Sequence, residues 1–231
     1  MALNKPDPRF TQSRKAHRNF RLALKMALVC VGVIWAIFII DSVFGLRLAR
    51  FGLRPGSVFG LTGIITAPLL HANFQHILSN TLPLFISLSA TLYLYPKSAF
   101  RVIPLIWLGS GALSWFIGQT PSLHIGVSGL IYGLLAFVFV SGILRRDMRS
   151  VSVSLLVGFL YGSMIWGVLP IRPKMSWEMH LSGAAVGVLL AVLFRNWDRP
   201  PLVRYDWEDD DSVPEWYPEE SKDDFDLPDK R

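Results

Sequence analysis

Six stretches of this chain are apolar over a length that can cross a lipid bilayer, and this confines it to a narrow set of folds. They lie at about residues 22–44, 75–95, 100–118, 126–144, 151–169 and 179–194. No water is available to the backbone in hydrocarbon, so each such stretch has to be a helix that satisfies its own N–H and C=O groups. The expected fold is therefore all-α, a polytopic bundle of six transmembrane helices. A chain that is 52% hydrophobic and 17% charged is too apolar for an ordinary soluble domain of this size. The expected division is a basic N-terminal segment (1–21), a six-helix membrane domain (22–197) and an acidic tail (198–231). The tail lacks the apolar periodicity of a core and reads as disordered.

Charge is strongly segregated. Only Asp7, Asp41, Asp147, Glu178 and Asp198 precede Asp206, and the other twelve acids lie from Asp206 to Asp229. With the N-terminus inside, the inner segments hold fifteen Lys and Arg residues and the outer segments five: Arg47, Arg50, Arg54, Arg172 and Lys174. That asymmetry places both termini in the cytoplasm, and a bacterial inner membrane is the expected location. The first outer loop carries three of the five outer cations, which suits an amphipathic element lying in the headgroups. A nucleic-acid surface is not indicated, because topology already accounts for cations at helix ends. The lone Cys30, inside the first span, cannot form an intramolecular disulfide. Nothing resembling a cleavage site follows the first apolar run, so it reads as a retained helix rather than a signal peptide.

Polar side chains inside spans are costly and need a reason. Three clusters stand out, at the starts of the second, fourth and sixth spans. In the first, His76 and Asn80 are four residues apart and share a helix face, with His71 a turn and a half earlier. Both are neutral hydrogen-bond donors. In the second, Gly126, Ser128, Gly129 and Tyr132 open the fourth span. Arg145 and Arg146 pin that helix at its inner end. About 25 Å of helix then separates Ser128 from Leu144, so the serine is recessed from the outer surface at a helix N-terminus. In the third, His180, Gly183 and Gly187 lie along one face of the sixth span. Gly183 with Gly187 and Gly129 with Gly133 make two G-x-x-x-G surfaces, which permit close backbone approach. If those faces meet, Ser128 and His180 come together near the outer ends of their helices.

Taken together, the pattern H-x4-H-x3-N at His71, His76 and Asn80, the Gly126-Val-Ser128-Gly129 run with Tyr132, and His180 with Gly183-x3-Gly187 resemble the rhomboid family of intramembrane serine proteases. The resemblance covers about residues 67–187 and implies a six-helix rhomboid-type bundle. It implies Ser128 as nucleophile and His180 as general base, with His76, Asn80 and the Ser128 amide as oxyanion donors. It also implies that Tyr132 packs beside His180 and that Gly126 leaves room for substrate backbone. His71, Gly129, Gly183 and Gly187 are supporting positions. Thr62 and Gly63 stand where many members carry a Trp-Arg pair, and Arg54 is the nearest cation. His124 reads as a loop residue near the mouth of the site.

The implied activity is hydrolysis of single-span membrane-protein substrates near the outer face by a Ser–His dyad, without cofactor or metal. The lipid bilayer is the other partner, and a weak homo-oligomer stays open. Two other readings remain: a non-catalytic rhomboid-like protein that binds or escorts membrane clients, and a small transporter. A transporter would need charged residues or broken helices at mid-membrane, and Asp41 is the only acid within a span.

Overall fold

The computed structural model describes residues 13–171 and 176–199. The N-terminal residues 1–12, the Arg172 and Lys174 loop and the acidic tail from residue 200 lie outside the described residues, together with the expectations that fall on them.

Six helices carry the fold: α1 (Arg14–Phe44), α2 (Phe74–Leu94), α3 (Ala99–Ile117), α4 (Ser128–Arg145), α5 (Met148–Tyr161) and α6 (Trp177–Leu193). The first four are long and apolar enough to span a membrane, as is α5 together with the 3-10 segment Gly162–Val168 that continues it. The sixth, α6, is a shorter apolar helix of 17 residues. Helix α1 begins at Arg14, eight residues before the apolar run. Ser13 caps it by accepting from the Ala16 N–H, so Arg18 and Arg21 ride on the helix rather than in a separate segment.

Helix α4 is the axis of the bundle. Two thirds of its spanning window is buried, against about a fifth for α1 and for α5, and it packs against α2, α3, α5 and α6. In a membrane no hydrophobic drive brings helices together, so close packing and hydrogen bonds hold the bundle. Helices α4 and α6 form the most extensive contact. A β-carbon at Gly183 would overlap the Gly129 carbonyl, and one at Gly187 would overlap the Gly133 carbonyl. The two glycine-bearing faces therefore meet backbone to backbone. Helix α1 shows the peripheral pattern: Ala23, Ala27, Val31 and Ile34 face inward while Leu28, Val29, Val43 and Phe44 are exposed.

The loop between α1 and α2 is a chain of short turns, at Leu48–Phe51, Val58–Thr62, Gly63–Thr66 and Ala67–Leu69. Indole N–H groups pin it to α3: Trp107 donates to the Ile65 carbonyl and Trp115 to that of Ser57. Val58 and Phe59 are among its most exposed side chains. A β-carbon at Gly63 would overlap the Leu53 backbone, which crosses at that point. Asp41 accepts from the Leu48 N–H and holds the loop's first turn. This acid thus has a local structural partner.

Candidate active site

The site forms where the N-terminal ends of α2, α4 and α6 converge. Its floor is set by a two-residue antiparallel bridge: Leu53 and His124 exchange backbone hydrogen bonds of 2.9 and 2.8 Å. This ties the first loop to the segment leading into α4. The Gly126 N–H then donates to the Ala67 carbonyl, and the chain turns at Gly126 with φ of 112°. That backbone conformation suits glycine. A β-carbon there would also stand 2.7 Å from His76 Nε2 and 3.7 Å from Asn80 Nδ2. The space above Gly126 thus faces two side-chain donors of α2, and in this structure the His76 ring occupies the room a side chain would need.

Ser128 begins α4. Its helix has no side-chain cap, so the first-turn N–H groups are not used by one. Ser128 Oγ lies 2.9 Å from His180 Nε2, and His180 Nδ1 lies 2.9 Å from the Gly167 carbonyl oxygen. A carbonyl only accepts, so in the neutral ring Nδ1 carries the hydrogen and Nε2 presents its lone pair to the serine hydroxyl. Ser128 is 9% and His180 7% exposed, which places the pair in a recess rather than on the surface. The Tyr132 ring stacks on the imidazole, with centroids 4.1 Å apart and planes 6° from parallel. Its own hydroxyl donates to the Met164 carbonyl at 2.8 Å. Ring and imidazole are therefore fixed together by two carbonyls of the segment that continues α5.

Helix α2 brings the other polar groups. Asn73 caps it by accepting from the His76 N–H at 2.9 Å, which sets the first turn. Asn80 lies one turn further along, on the buried face with Ile77 and Leu84. Its Nδ2 is buried without a hydrogen-bond partner. His71 precedes the helix and meets the His76 ring edge to face, centroids 5.1 Å apart. Both His71 ring nitrogens are buried and neither makes a hydrogen bond of good geometry, although the Leu69 backbone lies near enough to oppose part of the effect of burial. Burial, assisted by the neighbouring His76 ring, pushes the His71 imidazole down to about 4. His124, also buried, holds Ser122 Oγ at 3.0 Å through Nε2. Burial lowers its pKa, with Glu178 partly opposing.

The structure thus gathers Ser128, His180, Tyr132, His76, Asn80, Gly126 and His71 into one region. Gly129, Gly183 and Gly187 make the helix contact beneath it. Arg54 is placed in the turn after the bridge, where its carbonyl accepts from the Ser57 N–H. The Gly167 and Met164 carbonyls escape sequence reading, since they belong to backbone groups that any residue supplies. Gly167 carries a faint signal, a lone glycine beside Trp166 at the end of an apolar run.

Residues 58–197 match the family profile described as the Rhomboid domain. An uncharacterised protein of Mycobacterium tuberculosis is 39% identical over 175 residues, 72% of each chain. An uncharacterised protein of Mycobacterium leprae is 37% identical over 72% of this chain and 69% of its own. A Bacillus subtilis protein provisionally named a rhomboid protease is 29% identical over 66% of this chain and 74% of its own. The profile covers more than half of the sequence and contains all of the clustered polar residues, and the chain is an integral membrane protein of the rhomboid family, a family of intramembrane proteases.

Proposed function

We propose that this protein is a serine endopeptidase that cleaves single-span membrane proteins by a Ser128 and His180 dyad near the outer membrane face. The observation that carries the reading is the relay from the Gly167 carbonyl through both ring nitrogens of His180 to Ser128 Oγ, each contact at 2.9 Å. It supplies what an activated serine needs: a base in reach and a third group that fixes the base's tautomer.

The chemistry proceeds by acyl transfer. His180 Nε2 takes the hydroxyl proton as Ser128 Oγ bonds to the substrate carbonyl carbon. The carbonyl oxygen becomes an oxyanion, held by the Ser128 N–H, His76 and Asn80. The unpartnered Asn80 Nδ2 and the His76 ring, both facing the space above Gly126, support that assignment. The peptide C–N bond breaks as His180 returns the proton to the leaving amine. Water then attacks the acyl-serine, again through His180, and releases the new carboxyl end. A substrate helix must unwind locally first, because its carbonyls are otherwise hydrogen-bonded.

The excess of Lys and Arg at the end of the bundle opposite the dyad supports an orientation with both termini in the cytoplasm. The test is reconstitution of the purified protein with a single-span reporter, comparing wild type with Ser128→Ala and His180→Ala. Cleavage should vanish in both variants, and a fluorophosphonate probe should label wild type at Ser128. Cleavage that survives Ser128→Ala would sink the proposal and leave a client-binding role.

A further inference from the structure

At the opposite end of the bundle lies a cavity of about 550 Å³ that the dyad chemistry does not use. Five cations line it: Lys15 of α1, Lys97 of the turn before α3, Arg145 at the end of α4, Arg149 of α5 and Arg199 beyond α6. The two acids on its wall are already engaged. Asp147 caps α5 through the Ser150 N–H and pairs with Arg145 at 3.1 Å. Asp198 accepts from the Lys97 and Ser98 N–H groups and from the Ser98 hydroxyl. Among the described residues the pair of Arg145 and Asp147 is the only ion pair, so Lys15, Lys97, Arg149 and Arg199 have no carboxylate partner. Topology explains cations at this end of the molecule. It does not explain why five separate parts of the chain bring them to one concavity with three positive charges in excess.

We propose that this cavity docks the chain's own acidic segment, residues 206–229, and that the contact clamps the start of α1 to the inner ends of α2, α4 and α5. Residues 206–229 carry twelve acids and a single lysine, Lys222. The chain leaves for that segment from Arg199, on the cavity wall itself. Asp206 lies seven residue steps beyond Arg199. At about 3.3 Å per extended residue that linker reaches roughly 23 Å, enough to turn back. A tether this short holds the acids at millimolar effective concentration without any further contact. A lipid phosphate offers the same kind of charge, but it neutralises only part of the excess and has no such tether.

The test uses the full chain with Cys30→Ser and nitroxide labels at Arg18→Cys and Trp216→Cys, in nanodiscs of zwitterionic lipid. Pulsed EPR should read one narrow, short distance population. That population should be lost in the triple reversal Lys15→Glu, Lys97→Glu, Arg199→Glu, and at high salt, where screening removes it. If the triple reversal fails to fold, neutralising Glu208, Asp209, Asp210 and Asp211 to their amides must abolish the same population. A broad distribution that neither variant alters overturns the proposal. So does loss of the population when phosphatidylglycerol is added, which would make the lipid headgroup the occupant.

Discussion

Gly167→Ala probes the support of the imidazole without replacing Ser128 or His180. The added β-carbon would overlap Tyr132 Oη, stand 3.0 Å from Tyr132 Cζ and 3.3 Å from His180 Nδ1. Gly167 does not adopt a positive φ, so the methyl group adds no backbone strain and the effect is steric. The tyrosine cannot simply swing away, because its hydroxyl is held by the Met164 carbonyl and its ring is stacked on His180. Overpacking of this kind costs about 1–3 kcal/mol. If that appears in the barrier, cleavage slows about 5- to 150-fold. Tyr132→Phe removes the overlapping atom at the expense of one hydrogen bond, about 1 kcal/mol or roughly fivefold. The double variant should therefore recover to near the rate of Tyr132→Phe alone. Initial rates on a reporter in proteoliposomes measure this, with thermal melting to show that each variant is folded. A folded Gly167→Ala that cleaves at the wild-type rate, or losses that multiply in the double variant, would refute the reasoning.

Removal of either side-chain donor, His76→Ala or Asn80→Ala, should lower kcat about 10²- to 10³-fold while Ser128 still reacts with a fluorophosphonate; an unchanged kcat removes that residue from the oxyanion site. Gly187→Ala places a methyl group against the Gly133 carbonyl and should force α4 and α6 apart, lowering Tm by several degrees and slowing cleavage. Gly32→Ala, with open space at its β-carbon, should leave both unchanged, and equal Tm losses in the two variants would contradict the packing argument. His71 is held at about 4 against an ordinary 6.5, so the unfolded chain binds more protons between those values. Its contribution to stability is complete above pH 6.5 and is lost as pH falls toward 4, by roughly 3 kcal/mol. His71→Gln should flatten the fall of Tm over that window; parallel Tm curves would rule it out.

The fold was legible wherever hydrocarbon removes the alternatives. An apolar run of spanning length has one backbone solution, and the paired glycines of α4 and α6 could be matched by spacing alone. The helix ends were less legible. Arg14–Phe44 extends well before its apolar run because Ser13 caps it, and capping is indifferent to hydropathy. Long-range partners outside those glycine-bearing faces were not legible. Composition places Asp198 in the tail, yet its carboxylate accepts from the Ser98 N–H at the start of α3, a hundred residues earlier in the chain. Within the site, side chains with chemistry announced themselves while the Gly167, Met164 and Ala67 carbonyls did not. Every residue carries such a group, and only the folded path decides which one is used.

That invisible partner has a physical logic. A soluble Ser–His site commonly orients its base with a carboxylate, whose charge is tolerated because water and hydrogen bonds surround it. Here His180 is largely buried between helices, and among the described residues no carboxylate hydrogen-bonds to it; one that did would need several kcal/mol of compensation for lost hydration. The Gly167 carbonyl fixes the same tautomer with a neutral dipole, and the stacked Tyr132 fixes the ring plane with an aromatic face. Both come from polar groups that the bundle must satisfy in any case. Orientation of the imidazole thus depends on backbone at the end of α5 rather than on an acid. A substitution that moves that backbone should therefore act on the imidazole from the third neighbour of the reacting atom.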